Sequence, residues 1–282
     1  MKPILIHVHV YYPELWGGVC EYLRSLACMP YECVVTVPEG REDILSELKG
    51  DSRISRIVEV ENRGYDIAPF VQVINGVDLG RYSYVIKLHT KRDLPGDAYL
   101  KPLPFNYGYD YWRRYLLSFC SDEHFPCVLK AFERRPELGM VADYRLICRR
   151  PERRFLQAEE GLLKRAGLEY KRYEYVMGSM FICRAELLKP LQRMNLSPAE
   201  FPLADAAHSE NLAHEMERFF GLSVISQGYR IEDVFTASWK QSGVMRALRH
   251  LGQFLFFRKR GIDGRCVVKI CKIPVYHRRA RS

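Results

Sequence analysis

The sequence lacks the long apolar runs and the paired cysteines that define several protein classes. No apolar stretch approaches the roughly 20 residues that cross a bilayer, which argues against an integral membrane protein. The nine cysteines include no C-x-x-C pair and their number is odd, so a reduced cytosolic chain is predicted. The amino-terminal stretch has histidines in its apolar part and no small-residue cleavage site, so no signal peptide is expected.

Several signatures of nucleotide-binding and hydrolytic enzymes are also missing. The sequence contains no G-x-x-x-x-G-K-[ST] loop, no G-x-G-x-x-G after the first predicted strand and no G-x-S-x-G elbow. Residues 214–218 read H-E-M-E-R, but Arg218 stands where the zinc motif H-E-x-x-H needs its second histidine. His7 and His9 share a face of the first strand, yet no third ligand lies nearby in sequence. We therefore predict no metal site.

Positive charge is concentrated at one end of the chain. Hydrophobic residues make up 48% of the 282 residues and aromatic residues 12%, which indicates a folded chain of one or two domains. Residues 241–282 hold eleven lysines and arginines and a single acid, Asp263, whereas residues 1–240 are close to neutral. We therefore predict a folded domain over residues 1–240 and a basic extension over residues 241–282.

The basic extension has a pattern typical of a helix on a membrane surface. Its apolar stripe at helical spacing comprises Val244, Leu248, Leu251 and Leu255, with Phe254, Phe256 and Phe257 adding apolar bulk. The basic run at 258–260 follows at once, so residues 243–282 are predicted to bind an anionic membrane surface. The alternative is a helix packed on the main domain. Nucleic-acid binding is disfavoured because the extension lacks a single-strand stacking platform.

Short apolar runs alternate with helical patterns along the main domain. Strands are predicted at 3–10, 33–37, 56–60 and 82–88, and helices at 15–28, 41–48 and 67–74. Further helices are predicted at 107–120, 125–135, 149–172, 185–194 and 207–220, and further strands at 139–143, 175–183 and 223–231. This alternation predicts an α/β fold with a mostly parallel sheet, whose ligand lies at the carboxyl ends of the strands.

The segment after the third predicted strand carries polar groups suited to a nucleotide. Asn62 and Asp66 offer hydrogen-bonding groups, Arg63 offers a planar cation and Gly64 permits a tight turn. The alternative is an ordinary turn in which Asp66 caps the following helix.

Basic residues cluster where the fourth predicted strand ends. Lys87, His89 and Lys91 alternate on one face and Arg92 follows, so a diphosphate is a natural partner, with His9 ending the first strand. The alternative is a loop with solvated charges, although Lys87 lies inside an otherwise apolar strand.

A third candidate lies on the helix predicted at 207–220. Glu210, His214 and Glu217 are spaced by four and three residues and therefore share one helical face. A carboxylate near a histidine can act as a general base. A solvent-facing stripe with an ion pair is the alternative, and the residues alone leave both open.

These strings together resemble one known family. H-x-H-x-Y-Y-P-E-L at 7–15, E-N-R-G-Y-D-I-A-P-F at 61–70, Y-V-I-K-L-H-T-K-R at 84–92, Y-W-R-R at 111–114, M-G-S-M-F at 177–181 and H-E-M-E-R at 214–218 resemble the rhamnan synthesis protein F family over about residues 4–235. The resemblance implies a bacterial glycosyltransferase of cell-surface polysaccharide assembly that uses a nucleotide sugar such as dTDP-L-rhamnose. It also implies a GT-A-like fold, a Rossmann-type α/β/α sandwich.

The resemblance implies a donor site without a bound metal. In GT-A enzymes the loop after the third strand holds the nucleotide; here that loop contains Asn62, Arg63, Gly64 and Asp66. The fourth strand of such enzymes usually ends in an Asp-x-Asp metal motif, but residues 88–91 read Leu-His-Thr-Lys. No cofactor or metal is therefore expected, and positive charge for the departing diphosphate is expected from His89, Lys91 and Arg92.

The resemblance also implies a base and an acceptor side. Glu217 is the first choice for the base, beside Glu215 and His214, with Asp205 and Asp143 as further alternatives; Gly178, Ser179 and Arg113 are placed on the acceptor side. The resulting prediction is an inverting, metal-independent transferase, peripheral on the cytoplasmic membrane, with a lipid-linked or oligosaccharide acceptor. The alternative is a non-catalytic nucleotide- or glycan-binding subunit of a polysaccharide-synthesis complex, which the missing Asp-x-Asp favours.

Overall fold

The chain divides into two compact units. A computed structural model describes residues 2–91, 116–144, 146–149, 156–203, 211–234 and 237, and three strands between residues 256 and 278. The first unit comprises residues 1–91 and 116–238, and the second comprises residues 92–115 and 239–282. The division into a folded domain over residues 1–240 and a basic extension over residues 241–282 stays a prediction.

The first unit is built on a seven-stranded sheet. Its strands are β1 (Ile4–His9), β2 (Tyr31–Pro38), β3 (Arg56–Val60), β4 (Tyr84–His89), β5 (Leu138–Ala142), β8 (Phe181–Arg184) and β9 (Arg230–Asp233). Their order is β3-β2-β1-β4-β8-β5-β9, and β8 runs antiparallel to β4 and β5 while the other pairs are parallel. This topology confirms the predicted α/β fold with a mostly parallel sheet.

The helices of the first unit connect and cover these strands. They are α1 (Trp16–Leu26), α2 (Glu42–Leu48), α3 (Ile67–Asn75), α4 (Phe125–Arg134), α5 (Leu156–Arg165), α6 (Lys189–Met194) and α7 (Leu212–Ser226). The short strands β6 (Ile147–Cys148) and β7 (Tyr175–Val176) form a separate antiparallel pair. The helix predicted at 185–194 is a 3₁₀ turn over Ala185–Leu188 that continues into α6.

The centre of the sheet is apolar on both faces, as parallel strands covered by helices require. All six residues of β1 and five of the six in β4 are buried. Phe70 of α3 packs edge-on against Phe181 of β8 and Phe220 of α7, with ring centroids 6.1 and 5.3 Å apart. The histidines and the lysine within β1 and β4 therefore lie in apolar surroundings, where a polar group is costly unless it is hydrogen-bonded or paired.

The prediction of a single strand at 175–183 is wrong, because two strands of different sheets occupy this stretch. Between β7 and β8 the chain turns at Gly178 and Ser179, whose φ angles are 75° and 48°. Positive φ is incompatible with an extended strand and is uncommon for a serine. Because of this turn, β7 pairs with β6, whereas β8 joins the main sheet.

The boundary between the last helix and the last strand also differs from the prediction. Residues 223–226, predicted as the start of a strand, belong to α7, and β9 begins at Arg230. Gly228, with a φ of 90°, lies in the turn after α7. At the other end, Asn211 caps α7 by accepting the N–H of Ala213 at 3.0 Å. Residues 207–210 and 107–115 of two predicted helices lie outside the described residues.

The described part of the second unit is a three-stranded antiparallel sheet. It consists of β10 (Phe256–Arg260), β11 (Cys266–Ile270) and β12 (Ile273–Arg278). The extension of the amphipathic helix to Phe256 and Phe257 is therefore wrong, since both belong to β10. The stripe from Val244 to Leu255 lies outside the described residues. No helix among the described residues combines the length and the apolar composition needed to cross a membrane.

Candidate active site

The carboxyl ends of β1 and β4 meet at one edge of the sheet. His9 and His89 are register partners on these neighbouring strands. The hydroxyl of Thr90 accepts the backbone N–H groups of Tyr11 and Tyr12 at 2.9 and 3.0 Å, so the segments that follow the two strands are joined. The structure thus brings the polar residues at these strand ends to one place, where the open edge of a parallel sheet binds ligands.

Asp66 lies at the centre of a buried polar cluster at this edge. Its Oδ2 atom forms an ion pair with Lys87, accepts a hydrogen bond from the Ser179 hydroxyl at 2.8 Å and lies 3.2 Å from Nδ1 of His89. The ammonium of Lys87 also donates to the Ser179 hydroxyl at 2.9 Å. Asp66 occupies the N-cap position of α3, but its side chain makes no capping hydrogen bond. Its carboxylate therefore interacts with Lys87, Ser179 and His89 rather than with the backbone N–H groups of the helix.

The cluster holds one charged pair and neutral histidines. Burial would raise the pKa of Asp66, but the positive partners and the hydrogen bonds outweigh burial and hold it well below its usual range. Burial lowers the pKa of Lys87, an effect that Asp66 opposes. Burial also lowers the pKa of His89 to about 3 and that of His9 to about 4. His89 is therefore neutral at neutral pH, contrary to the expectation that it supplies positive charge.

The loop after β3 is held against a distant segment of the chain. Gly64 has a φ of 57°, and a Cβ there would lie 2.7 Å from the Phe201 ring and 2.8 Å from the Ala68 side chain. The guanidinium of Arg63 donates to the Phe201 carbonyl at 3.1 Å and contacts Glu61 at 2.7 Å. Arg63 therefore fastens the loop in this structure. Asn62 lies half-buried in the same loop.

Glu217 of α7 lies in the same region, close enough to Asp66 and Lys87 to interact with their charges. Its Oε1 atom accepts the backbone N–H of Gly178 at 2.5 Å. Burial raises the pKa of Glu217, while Lys91 and the Gly178 hydrogen bond lower it. A carboxylate with a raised pKa is suited to taking up a proton near neutral pH. His214 packs edge-on against Tyr65, and Glu215 lies half-buried in the first turn of α7.

Helix α7 is fixed in position by contacts on its other side. Arg218, next to Glu217, forms a buried ion pair with Glu159 of α5, which also accepts a hydrogen bond from the Tyr173 hydroxyl at 3.3 Å. Gly221 lies so close to β7 that a Cβ there would be 2.4 Å from the Cα atom of Tyr175. The close approach explains why a glycine stands inside this helix.

Not every candidate residue is part of the described site. Asp143 is fully buried directly after β5. Arg92, Arg113, Asp205 and Glu210 lie outside the described residues. Ser179, expected to face an acceptor sugar, is 2% exposed and has its hydroxyl bonded to Asp66 and Lys87.

Sequence reasoning missed Thr36, which joins the two histidines of β1. Its hydroxyl lies 2.9 Å from Nε2 of His7 and 3.0 Å from Nδ1 of His9. Since β2 is otherwise apolar at its centre, one polar residue there was the available signal. Thr90 and Tyr65 were also missed, although both stand inside the quoted strings.

The described residues do not form a recognisable metal site. Across the described ranges, no group of three or more histidine, cysteine, aspartate or glutamate side chains is placed to hold an ion. The position of the Asp-x-Asp motif is occupied by His89 and Lys91. The ammonium of Lys91 repels a cation, whereas a neutral imidazole such as that of His89 is a common metal ligand, so the absence of a metal stays a prediction.

Comparisons with solved structures find weak similarity. A structure described as a mycobacterial protein aligns with 66% of this chain and 54% of its own at 13% identity and a TM-score of 0.35. Glucosyl-3-phosphoglycerate synthase from Mycobacterium tuberculosis, in complex with uridine diphosphate, aligns with 66% and 58% at 11% identity and a TM-score of 0.37. At these scores the similarity carries no argument about activity.

Sequence comparisons are more informative. WxcX, described as an uncharacterized protein of Xanthomonas campestris pv. campestris strain B100, is 31% identical over 183 residues, which is 62% of this chain and 24% of that protein. The same protein from strain ATCC 33913 matches equally well, so the chain spans about a quarter of the length of the curated relatives it matches. The profile of rhamnan synthesis protein F matches residues 1–229, which include every described residue of the site. The chain belongs to the rhamnan synthesis protein F family.

Proposed function

We propose that the chain is a glycosyltransferase with a GT-A-like fold that works in bacterial cell-surface polysaccharide synthesis. The family description supports polysaccharide synthesis, and the match covers the whole described site. The observation that carries the proposal is that Asp66, Lys87 and His89 lie close to Glu217 at the carboxyl edge of the sheet. That edge offers hydrogen-bonding groups for a donor and a half-buried carboxylate for an acceptor hydroxyl.

The proposed donor is a nucleoside diphosphate sugar of the rhamnose type, and the product is a rhamnan or an O-antigen of lipopolysaccharide. The name of the family supports rhamnose as the transferred sugar. Among the described residues, Nε2 of the buried His89 has no hydrogen-bond partner, whereas its Nδ1 lies 3.2 Å from Oδ2 of Asp66. Since buried polar atoms are normally satisfied, His89 is suited to bonding a donor oxygen as a neutral imidazole.

The proposed reaction is a single displacement that inverts the anomeric carbon. Glu217 takes the proton of an acceptor hydroxyl, whose oxygen bonds to the anomeric carbon as the bond to the diphosphate breaks. The leaving diphosphate keeps the electron pair. Lys91 after β4 supplies positive charge to it, and Arg92, outside the described residues, is proposed to add to that charge. No step requires a metal.

The test is sugar release and transfer across a panel of nucleotide sugars with a lipid-linked acceptor, with and without EDTA. Transfer from one donor that survives EDTA is the expected result. Transfer that depends strictly on Mn²⁺ or Mg²⁺ would show the metal-independent mechanism to be wrong. Binding of a nucleotide sugar without transfer to any acceptor would favour a non-catalytic binding subunit, the candidate that the replaced Asp-x-Asp motif supports.

The proposed location is the inner face of the cytoplasmic membrane, reached through residues 243–282. The support is the charge of this segment, eleven bases against one acid over 241–282. Each base near an anionic leaflet adds about 1 kcal/mol of attraction. The full chain is expected to pellet with anionic vesicles and not with neutral ones. The triple variant R258E/K259E/R260E should lose much of this binding, and equal pelleting of both proteins would contradict the proposal.

A further inference from the structure

The turn between β7 and β8 has an unusual backbone and a fully used side chain. Gly178 and Ser179 both have positive φ angles, and for a serine this conformation is unfavourable and persists only where its surroundings impose it. Glycine or asparagine adopts this region more readily. A serine therefore needs a compensating interaction of its side chain.

The compensating interactions are with the buried ion pair. The hydroxyl of Ser179 donates to Oδ2 of Asp66 at 2.8 Å and accepts from Nζ of Lys87 at 2.9 Å. Ser179 is 2% exposed and Lys87 is fully buried, so water does not compete for these bonds. Hydrogen bonds to charged groups in such surroundings are strong and directional.

The same turn holds the carboxylate of α7. The N–H of Gly178, one residue before Ser179, donates to Oε1 of Glu217 at 2.5 Å. Two successive residues thus contact Asp66 and Lys87 on one side and Glu217 on the other. A displacement of the turn moves both sides.

We propose that Ser179 is a positioning residue which ties the Asp66–Lys87 pair to the carboxylate of Glu217 through the turn at 178–179. The inference rests on the proposed function for its kinetic consequences, but the coupling itself is a property of the folded chain. Without the hydroxyl, the turn loses its fixed place against Asp66 and Lys87. The hydrogen bond from Gly178 to Glu217 then lengthens, and the charged form of Glu217 is less stabilised.

The expected electrostatic consequence has a definite sign. The Gly178 N–H stabilises the charged carboxylate, so weakening this bond raises the pKa of Glu217 further above its ordinary value. The charged and titratable groups around Glu217 remain the same in a Ser179 variant. They are Lys87 in β4, Lys91 after β4, Asp66 before α3, Tyr175 in β7 and His214 in α7.

The experiment compares Ser179→Ala with Ser179→Gly, which also removes the hydroxyl but relieves the positive φ. Ser223→Ala is the control, because Ser223 is a buried serine of α7 that bonds only to Gln227 among the contacts described for it. Both Ser179 variants should lose kcat, by up to about 100-fold for a displacement near 1 Å, with a smaller change in donor KM. Their acidic limb of kcat should move to higher pH, whereas Ser223→Ala should match the wild type.

A measurement that needs no activity separates this inference from the proposed function. Titration of ¹³C-labelled glutamate carboxyls, with Glu217→Gln to assign the signal, should show a higher pKa of Glu217 in both Ser179 variants. If the wild type transfers no sugar, the proposed function fails and this titration still decides the coupling. An unmoved Glu217 titration in Ser179→Gly, which is free of backbone strain, overturns the inference whatever the loss of kcat.

Discussion

Charge at the candidate site is divided among its residues in a way that their types alone do not reveal. Lys87 is neutralised by Asp66, and burial keeps His9 and His89 neutral. The group formed by Asp66, Lys87, His9 and His89 therefore has a net charge close to zero, although three of these residues are of basic types. On the proposed function, positive charge for a diphosphate is expected from Lys91, which follows β4.

The carboxylate of Glu217 gives a direct test at this scale. Glu217→Gln removes proton acceptance at nearly constant shape, so turnover should fall by about 100-fold or more while donor binding by calorimetry stays near the wild-type value. Because burial raises the pKa of Glu217, the wild-type acidic limb of kcat should lie above the ~4.3 of an ordinary glutamate. Glu215→Gln, in the same helix, tests the next candidate for the base. A turnover equal to the wild type in Glu217→Gln would assign the base elsewhere, to Glu215, Asp205 or Asp143.

Several site residues could be predicted from the sequence because they lie at the carboxyl ends of strands or in the loop that follows one. Asp66, Lys87, His89 and His9 were identified in this way, and the structure brings them together. The internal roles of Ser179 and Arg63 could not be predicted. Their partners, Lys87 and the Phe201 carbonyl, are 92 and 138 residues away in the chain, and no local pattern encodes such contacts.

At the scale of single elements, the least tolerant contact is that of α7 with β7. Gly221→Ala places a methyl group 2.4 Å from the Cα of Tyr175 and 2.6 Å from the Glu174 carbonyl, so backbone must move. We expect a loss of about 3 kcal/mol in the free energy of unfolding, against a gain in helix propensity of ~1 kcal/mol. The free energy of unfolding measured with urea gives the net of these two effects.

The matched control for this substitution is Gly161→Ala in the exposed part of α5. A Cβ at Gly161 meets no atom within 4 Å. Only the helix propensity changes, so this variant should be more stable than the wild type by about 1 kcal/mol. Equal effects at the two glycines would contradict the close packing of α7 on β7.

Element boundaries were predicted least well in two mainly apolar stretches. The stretch at 175–183 has the composition of one buried strand, and the turn within it depends on a serine with positive φ. Residues 223–226 were predicted as the start of a strand, yet they complete a helix whose residues 218–226 are all buried. In both cases tertiary contacts decide between structures that local propensity leaves equal.

At the scale of the whole molecule, the buried histidines make stability depend on pH. The pKa of His9 is about 4 in the folded chain and 6.5 in the unfolded chain, so between these values the unfolded chain binds more protons. Stability is complete above pH 6.5 and falls as the pH drops towards 4, by roughly 3 kcal/mol for His9 alone. The lowered pKa of Asp66 adds a further loss only below about pH 4.

Denaturant unfolding at several pH values between 7.5 and 4 measures this dependence. His9→Asn should show a shallower slope over this range, because it removes one proton-binding group from the unfolded chain. His124→Asn, before α4 and away from the cluster, serves as the control. A wild-type protein whose stability stays constant from pH 7 to pH 4 would contradict the burial of neutral histidines.

The α/β class could be predicted because β1 to β4 alternate with helices within ninety residues. The complete strand order could not, since the place of β8 between β4 and β5 depends on pairings between strands far apart in sequence.

The position of β8 also constrains how the protein is made. A growing chain completes β4 at residue 89, but the strand that pairs with its open side begins only at residue 181. While about 90 further residues are translated, the nascent sheet presents the unpaired backbone groups of β4, and β5 emerges from the ribosome before the strand that links it to β4 exists. The pairing of β8 with β4 and β5 at the centre of the sheet therefore forms late in synthesis, and only β9 is added after it.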